Sequence, residues 1–153
     1  METDLQKECQ LVSTGLSYRI LNNGNAVITG RGECTDKNIV IPDEIDGHIV
    51  AAIEANAFRY DKNLYSIQIA NTVIHVGDTA CYECKNLKYL LVCEETYAVG
   101  YHAFACCNKL EHIILGRVGQ LDWFGDERFY GCNNIKNIEI SRRGYCDSKI
   151  SKN

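Results

Sequence analysis

The feature that most limits how this chain can fold is a repeat of about 23 residues. One apolar column of the repeat consists of Leu64, Leu87, Leu110 and Ile135, with spacings of 23, 23 and 25 residues. A unit this short cannot bury its apolar side alone, so neighbouring units have to stack. The repeat therefore predicts a β-rich solenoid in which each coil covers the core of the next.

The repeat also resembles a known family. Residues 63–84 read NLYSIQIANTVIHVGDTACYEC. They are similar to the unit L-x-x-I-x-I-P-x-x-V-x-x-I-G-x-x-A-F-x-x-C of the BspA-like, Treponema-type leucine-rich repeat proteins. The resemblance covers about residues 15–141 and implies a right-handed leucine-rich repeat solenoid of short, stacked parallel strands.

This chain departs from the family pattern at three places. Cys81 replaces the usual phenylalanine, Arg128 replaces the usual alanine, and the last repeat gains two residues. The insertion predicts an irregular coil near residues 116–120.

We predict one domain with polar segments on both sides. A polar segment spans residues 1–14, the leucine-rich repeat domain spans 15–141, and a polar tail spans 142–153. Within the domain, LSYRIL and AVIT alternate around NNGN, which predicts a β-hairpin cap over residues 15–37 before repeats over 38–141.

Composition and charge exclude several classes of function. The chain has 153 residues, a net charge of −4 and a pI near 5.5, so a nucleic-acid partner is not expected. It has no basic start followed by an apolar run and no stretch of about 18 apolar residues, which argues against an ordinary signal and membrane insertion. Nine cysteines leave one unpaired in an oxidising compartment. If Met1 is the natural start, we expect a cytoplasmic protein.

Cysteine recurs at one position of the repeat. Cys84, Cys107 and Cys132 share a column with Asp61. Equivalent residues of stacked coils lie about 4.8 Å apart, so the column predicts a ladder of small buried thiols at the corner of each coil. Cys106 falls in a tolerant column that we expect at the surface.

Two other interpretations of the cysteines are zinc binding and disulfide formation. Zinc would use Cys81, Cys84, Cys106 and Cys107, but adjacent residues of an extended segment face different ways, whereas tetrahedral zinc needs four convergent ligands. Stacked coils bring Cys84 and Cys107 near bridging distance, although the missing export signal argues against a disulfide. We predict no metal and no cofactor.

An enzyme is not expected. The histidines His48, His75, His102 and His112 all lie at repeat positions predicted to face solvent. A cysteine and histidine pair also needs a convergent pocket, which a small regular solenoid does not readily form. The glycines of GRVG, Gly116 and Gly119, precede no lysine or threonine, so no phosphate loop is indicated.

Strand alternation predicts which side chains are buried in the segment Leu64 to Ile69 and in its equivalents in the later repeats. The inward columns are Ile67, Leu90, Ile113 and Ile138, with Ile69, Val92, Leu115 and Ile140. The outward columns bring together the predicted partner-binding residues Tyr89, Leu91, His112 and Ile114, with Tyr65, Lys88, Glu111 and Lys136 around them. An apolar centre with a polar rim is typical of a binding site. The alternative is scattered surface residues, or a terminal segment that folds over them.

Trp123 is a further candidate contact residue. It follows the insertion and occupies the column of Ala52, His75 and Ala98, so we expect it to project from an irregular loop. Tryptophan is enriched among binding hot spots. The alternative is that it covers the core where the coil widens.

The end of the solenoid predicts a weak contact between copies. The last strand is followed only by SRRGYCDSKISKN, which is too polar to form an apolar cap. Either charged residues protect this edge, or it pairs with a second copy or another protein.

Two functions are compatible with these features. The first is a cytoplasmic module that binds another protein through the sheet face, as an inhibitor or adaptor. The second follows from the resemblance, because many relatives are cell-surface proteins of bacteria and protists. It is a bacterial cell-surface or secreted adhesion protein whose leader and anchor are missing from this sequence.

Overall fold

The predicted solenoid fold is confirmed. The computed structural model describes residues 12–141, which form about five turns of roughly 23 residues each. The predicted polar tail lies wholly outside the described residues, and of the predicted polar segment 1–14 only the last three residues are described. Ser13 already belongs to the fold, because its backbone N–H donates to the carbonyl of Val40 at 2.9 Å and its hydroxyl accepts from the Val40 N–H.

The predicted hairpin cap opens the solenoid. Strands β1 (Ser17–Ile20) and β2 (Ala26–Gly30) pair antiparallel, and β2 then pairs parallel with β5 (His48–Ile53). The hairpin thus occupies the place of a preceding coil, and its apolar residues close the end of the core.

Two sheets form two sides of the coil. The first sheet has the strand order β1-β2-β5-β7-β9, where β7 is His75–Val76 and β9 is Ala98–Val99, and a short β4 (Glu44–Ile45) pairs antiparallel with β5. The second sheet is parallel, and its strands are β3 (Asn38–Val40), β6 (Ser66–Ile69), β8 (Tyr89–Val92), β10 (His112–Leu115) and β11 (Asn137–Ile140).

The register of the second sheet follows the sequence columns. Ser66 pairs with Tyr89, Tyr89 with His112, and His112 with Asn137. Inward residues of β6, β8 and β10 are therefore stacked and buried, with Ile67, Leu90 and Ile113 each at most 1% exposed.

Turns form the third side of each coil and bring neighbouring backbones close together. A Cβ on Gly77 would lie 2.4 Å from the backbone nitrogen of Ala55, and one on Gly100 would lie 2.6 Å from that of Asp78. No side chain fits at these distances, which explains the glycine that recurs at this position of the repeat.

The predicted irregularity in the last full coil is present. In place of a strand, the coil forms two 3₁₀ helices, Val118–Gly125 and Glu127–Phe129. The buried side chain of Gln120 holds this segment to the preceding coil. Its amide donates to the carbonyls of Cys93 and Thr96, both at 2.9 Å, and its oxygen accepts from the Gly116 N–H at 2.9 Å.

Two burial predictions are wrong at the end of the solenoid. Ile138 and Ile140 continue the inward columns, yet they are 39% and 37% exposed. Inward-facing residues are buried only when a further coil covers them, and among the described residues none follows β11.

Candidate binding surface

A row of partly exposed rings crosses three neighbouring strands of the second sheet at their starts. The ring centroids of Tyr65 and Tyr89 are 5.6 Å apart at an interplanar angle of 61°, and Tyr89 stacks on His112 at 5.0 Å and 16°. We call Tyr65, Tyr89 and His112 the ring row. Parallel stacking of coils accounts for the contact of Tyr89 with His112, which are equivalent residues of neighbouring coils. Tyr65 comes from the adjacent column, one residue before Ser66, which is the residue that pairs with Tyr89.

Charged residues surround the ring row. The Glu111 carboxylate lies 3.8 Å from the Lys88 ammonium, 3.4 Å from that of Lys136 and 3.4 Å from His112 Nε2. The other ring nitrogen of His112 is 2.9 Å from the side-chain nitrogen of Asn137. These contacts orient the imidazole.

Burial raises the pKa of the Tyr65 phenol above its usual value, although nearby Lys88 acts in the opposite direction. Tyr65 is 39% exposed. Its hydroxyl is therefore protonated at neutral pH and able to donate a hydrogen bond to a partner.

The expectation that Leu91 is an accessible part of this surface is wrong. Its side chain is 2% exposed, and Tyr89 and Ile114 pack against it in a small cluster separate from the main core. Ser66 and Gln68 of the same outward columns are also buried. Of the four residues predicted here, Tyr89, His112 and Ile114 are half-buried, and Leu91 packs against Tyr89 and Ile114.

Trp123 does not project from the loop, contrary to one expectation. It is 5% exposed and belongs to the main core, whereas Leu121 is 40% exposed. The repeat column and the insertion used to place Trp123 do not give the direction of its side chain, because this coil forms a 3₁₀ helix of three residues per turn where its equivalents form a strand. The alternative interpretation, a ring that covers the core where the coil widens, describes its position.

The predicted thiol ladder is present. The Sγ atoms of Cys84, Cys107 and Cys132 donate to carbonyls of the preceding coil at 3.0, 3.2 and 3.0 Å. Hydrogen bonding to Cys132 and burial raise the pKa of the Cys107 thiol well above its usual value. Hydrogen bonding to Cys84 and burial do the same for the pKa of Cys81. Both thiols are therefore protonated at neutral pH, so neither is activated as a nucleophile.

The remaining cysteines differ from one another. Cys106 is partly exposed, in line with its predicted surface column. Cys93, which is 4% exposed, is disulfide-bonded, and the six other cysteines of the described residues are free. Residues 12–141 contain no group of three or more His, Cys, Asp or Glu side chains that could hold a metal ion.

A second row of rings, on the turn side, was not predicted from the sequence. Neighbouring centroids in the series Tyr60, Tyr82, His102 and Tyr130 are 5.9, 6.0 and 5.9 Å apart. We call these four residues the turn row. They come from three different columns of the repeat, so a search by column does not detect a row that is continuous only in space. The sequence did contain one signal for the turn row, namely the number of aromatic residues in the turn segments.

One family model matches the chain. The model is described as the BspA type leucine rich repeat region, and it matches residues 51–150 in six copies. None of the curated protein sequences matches the chain. The described residues contain no helix long and apolar enough to cross a membrane.

Solved structures of bacterial proteins have the same fold. A leucine-rich repeat protein from Bacteroides capillosus is 19% identical with a TM-score of 0.67, and the match covers 86% of this chain and 99% of that one. A leucine rich cell surface protein from Faecalibacterium prausnitzii is also 19% identical, with a TM-score of 0.59. That match covers 86% of this chain and 42% of the larger protein, so the chain spans less than half the length of that relative.

Proposed function

Because the chain belongs to the BspA type leucine-rich repeat family, we propose that it is a non-catalytic module that binds a partner protein through the ring row. Leucine-rich repeat proteins generally bind other proteins and lack catalytic activity. The observation that carries the proposal is the ring row itself, which spans three coils on a sheet face with a charged rim. Partly exposed aromatic residues with a polar rim are the usual composition of an interface centre.

A capture experiment tests the proposed site. The double variant Tyr89→Ala, His112→Ala removes two rings of the ring row, and Leu91 stays unchanged because its burial makes it a poor target. We expect the affinity for a partner captured from the source cells to fall about 30-fold, as for interface hot spots of about 2 kcal/mol.

The turn row supplies the matched control. Tyr60→Ala with Tyr130→Ala removes two rings that are 51% and 66% exposed but lie on another side of the coil. Circular dichroism checks the folding of both variants. Retention of the partner by the folded ring-row variant, or equal loss from both variants, would refute the ring row as the contact site.

A cell-surface or secreted adhesion role is the second candidate, and the disulfide at Cys93 favours it. Disulfides persist in oxidising compartments and are rare in the cytosol. An intracellular inhibitor or adaptor would need Cys93 to be reduced. Mass spectrometry of alkylated protein isolated from its source cells distinguishes the two, because only a free Cys93 thiol accepts the alkyl group before reduction.

A further inference from the structure

A basic cleft lies beside the ring row, where turns lead into the second sheet. It has a volume of about 350 Å³, and Tyr65 forms part of its wall. Its other lining residues are Lys37, Lys62, Asn63, Asn86, Lys88 and Lys109. We call this the lysine cleft. Four cationic groups and no acidic residue line it, although the whole chain carries a net charge of −4.

The lysines of the cleft come from successive coils. The backbone N–H of Tyr65 donates to the Lys37 carbonyl at 2.8 Å, and that of Lys88 donates to the Tyr65 carbonyl at 2.8 Å, which places these residues in one stacked column. Lys109 follows one coil later and donates to the Asn86 side chain at 3.1 Å. Three coil steps of about 4.8 Å span roughly 14 Å, the length of about four residues of an extended peptide.

Most of this positive charge is not neutralised within the described residues. Lys88 lies 3.8 Å from Glu111, whereas Lys37, Lys62 and Lys109 form no ion pair with any residue of 12–141. Lys37, Lys62 and Lys109 are exposed. Like charges held close together repel one another, and an anion bound between them relieves the repulsion.

We infer that the lysine cleft binds a short run of carboxylate side chains in an extended segment of a partner protein. The charge of the cleft complements carboxylates, and its length fits about four extended residues. The exposed Asn63 amide can both donate and accept, as the backbone of an extended peptide requires. Because Tyr65 belongs to the ring row as well, the partner proposed above would place this segment here, an assignment that rests on the proposed function.

A long polyanion fits the cleft less well. A nucleic acid or a sulfated glycan would extend beyond it over a surface whose net charge is negative. Screening limits the attraction of the lysines to about 8 Å at physiological ionic strength, so only the units inside the cleft gain from it.

Fluorescence anisotropy with a labelled hexaglutamate peptide tests the inference. We expect the unmodified protein to bind hexaglutamate, and the double variant Lys62→Gln, Lys109→Gln to bind it about tenfold more weakly. The control variant Arg59→Gln, Lys85→Gln removes the same charge from exposed side chains that do not line the cleft and form no ion pair with any residue of 12–141. We expect it to bind within about twofold of the unmodified protein.

Three outcomes would overturn the inference: equal binding of hexaglutamine, equal weakening in the two double variants, or tighter binding of a sulfated hexasaccharide or a six-nucleotide DNA than of hexaglutamate. The ring-row variant Tyr89→Ala, His112→Ala separates this site from the proposed function. If that variant loses the captured partner but keeps hexaglutamate, both sites are supported. If that variant keeps both the captured partner and hexaglutamate, the ring row is refuted as the contact site and the lysine cleft is still supported.

Discussion

The two ends of the solenoid differ in how well their strands are covered. At the hairpin end, Ile39 and Val40 of β3, an edge strand of the second sheet, are 1% and 3% exposed. At the other end, Ile138 and Ile140 of β11 are 39% and 37% exposed. The residue types are equally apolar, so the difference comes from what lies beside each strand.

The hairpin end is closed by contacts that take the place of those a preceding coil would make. Asp61 stands where later coils have a cysteine, and the Arg31 Nε atom lies 2.8 Å from its carboxylate. The same guanidinium donates to the carbonyls of Cys34 and Asp36 at 3.1 and 2.6 Å. β11 has no equivalent contact among the described residues. In a solenoid, burial is therefore a property of the neighbouring coil as much as of the residue.

The largest difference in stability should come from truncating the side chain at the same repeat position in an interior coil and in the end coil. Ile113 and Ile138 are paired neighbours, with exposures of 1% and 39%. We expect Ile113→Ala to lower the free energy of unfolding by about 2–5 kcal/mol, because it leaves a cavity. Ile138→Ala should cost about 1 kcal/mol or less. Urea denaturation followed by circular dichroism measures both, and equal losses would mean that the end coil is covered in solution.

Removing the arginine that closes the hairpin end should have a smaller effect. Arg31→Gln breaks an ion pair whose side chains are only 19% and 11% exposed, and we expect a loss of about 2 kcal/mol. The matched control is Arg19→Gln, which breaks the more exposed pair with Glu54 and should cost less than about 1 kcal/mol. If the two variants are equally stable in urea, the Arg31 contact does not close the end.

The interior thiols should make stability depend on alkaline pH. The pKa values of Cys81 and Cys107 are raised in the folded protein by thiol hydrogen bonding and burial, so folding favours the protonated form. Their contribution is complete below the ordinary thiol pKa of about 8.5 and is lost as the pH rises above it.

Between about pH 7.5 and 9.5 we expect the Cys81 thiol to cost about 1 kcal/mol of stability. The Cys107 thiol should cost less, because its hydrogen bond with Cys132 lowers the pKa of Cys132 and acts with the opposite sign. The variant Cys81→Ala, Cys107→Ala should lack this dependence, whereas Cys132→Ala, at the less covered end coil, should keep the Cys81 part of it. Urea denaturation under argon preserves the redox state of the cysteines. An unchanged pH dependence in the double variant would exclude the interior thiols as its source.

Much of the fold follows from the spacing of residues. The repeat predicted the stacked coils, the inward columns of β6, β8 and β10 and the thiol ladder, because each depends on a period that is visible in the sequence. The hairpin was predicted from the alternation of LSYRIL and AVIT around NNGN. The irregular coil at the two-residue insertion was predictable for the same reason, although its 3₁₀ helices were not.

The candidate site was less predictable. The outward columns correctly brought Tyr89, His112 and Ile114 together, but alternation gives only the direction of a side chain, and Leu91 points outward and is nevertheless covered. The turn row was missed because its rings reach one another from different columns. The lysine cleft combines residues of four coils, and its shape exists only after the coils have stacked.

The sequence by itself determined the period, the family and the order of inward and outward positions, because these depend on local alternation and on a repeat that must stack to bury its core. The tertiary structure decided which of those positions meet solvent: Trp123 turns into the core, Ile138 and Ile140 remain exposed, and Arg31 closes the hairpin end. The physical reason is that exposure depends on neighbours distant in sequence, and a residue's own column does not specify what lies on top of it.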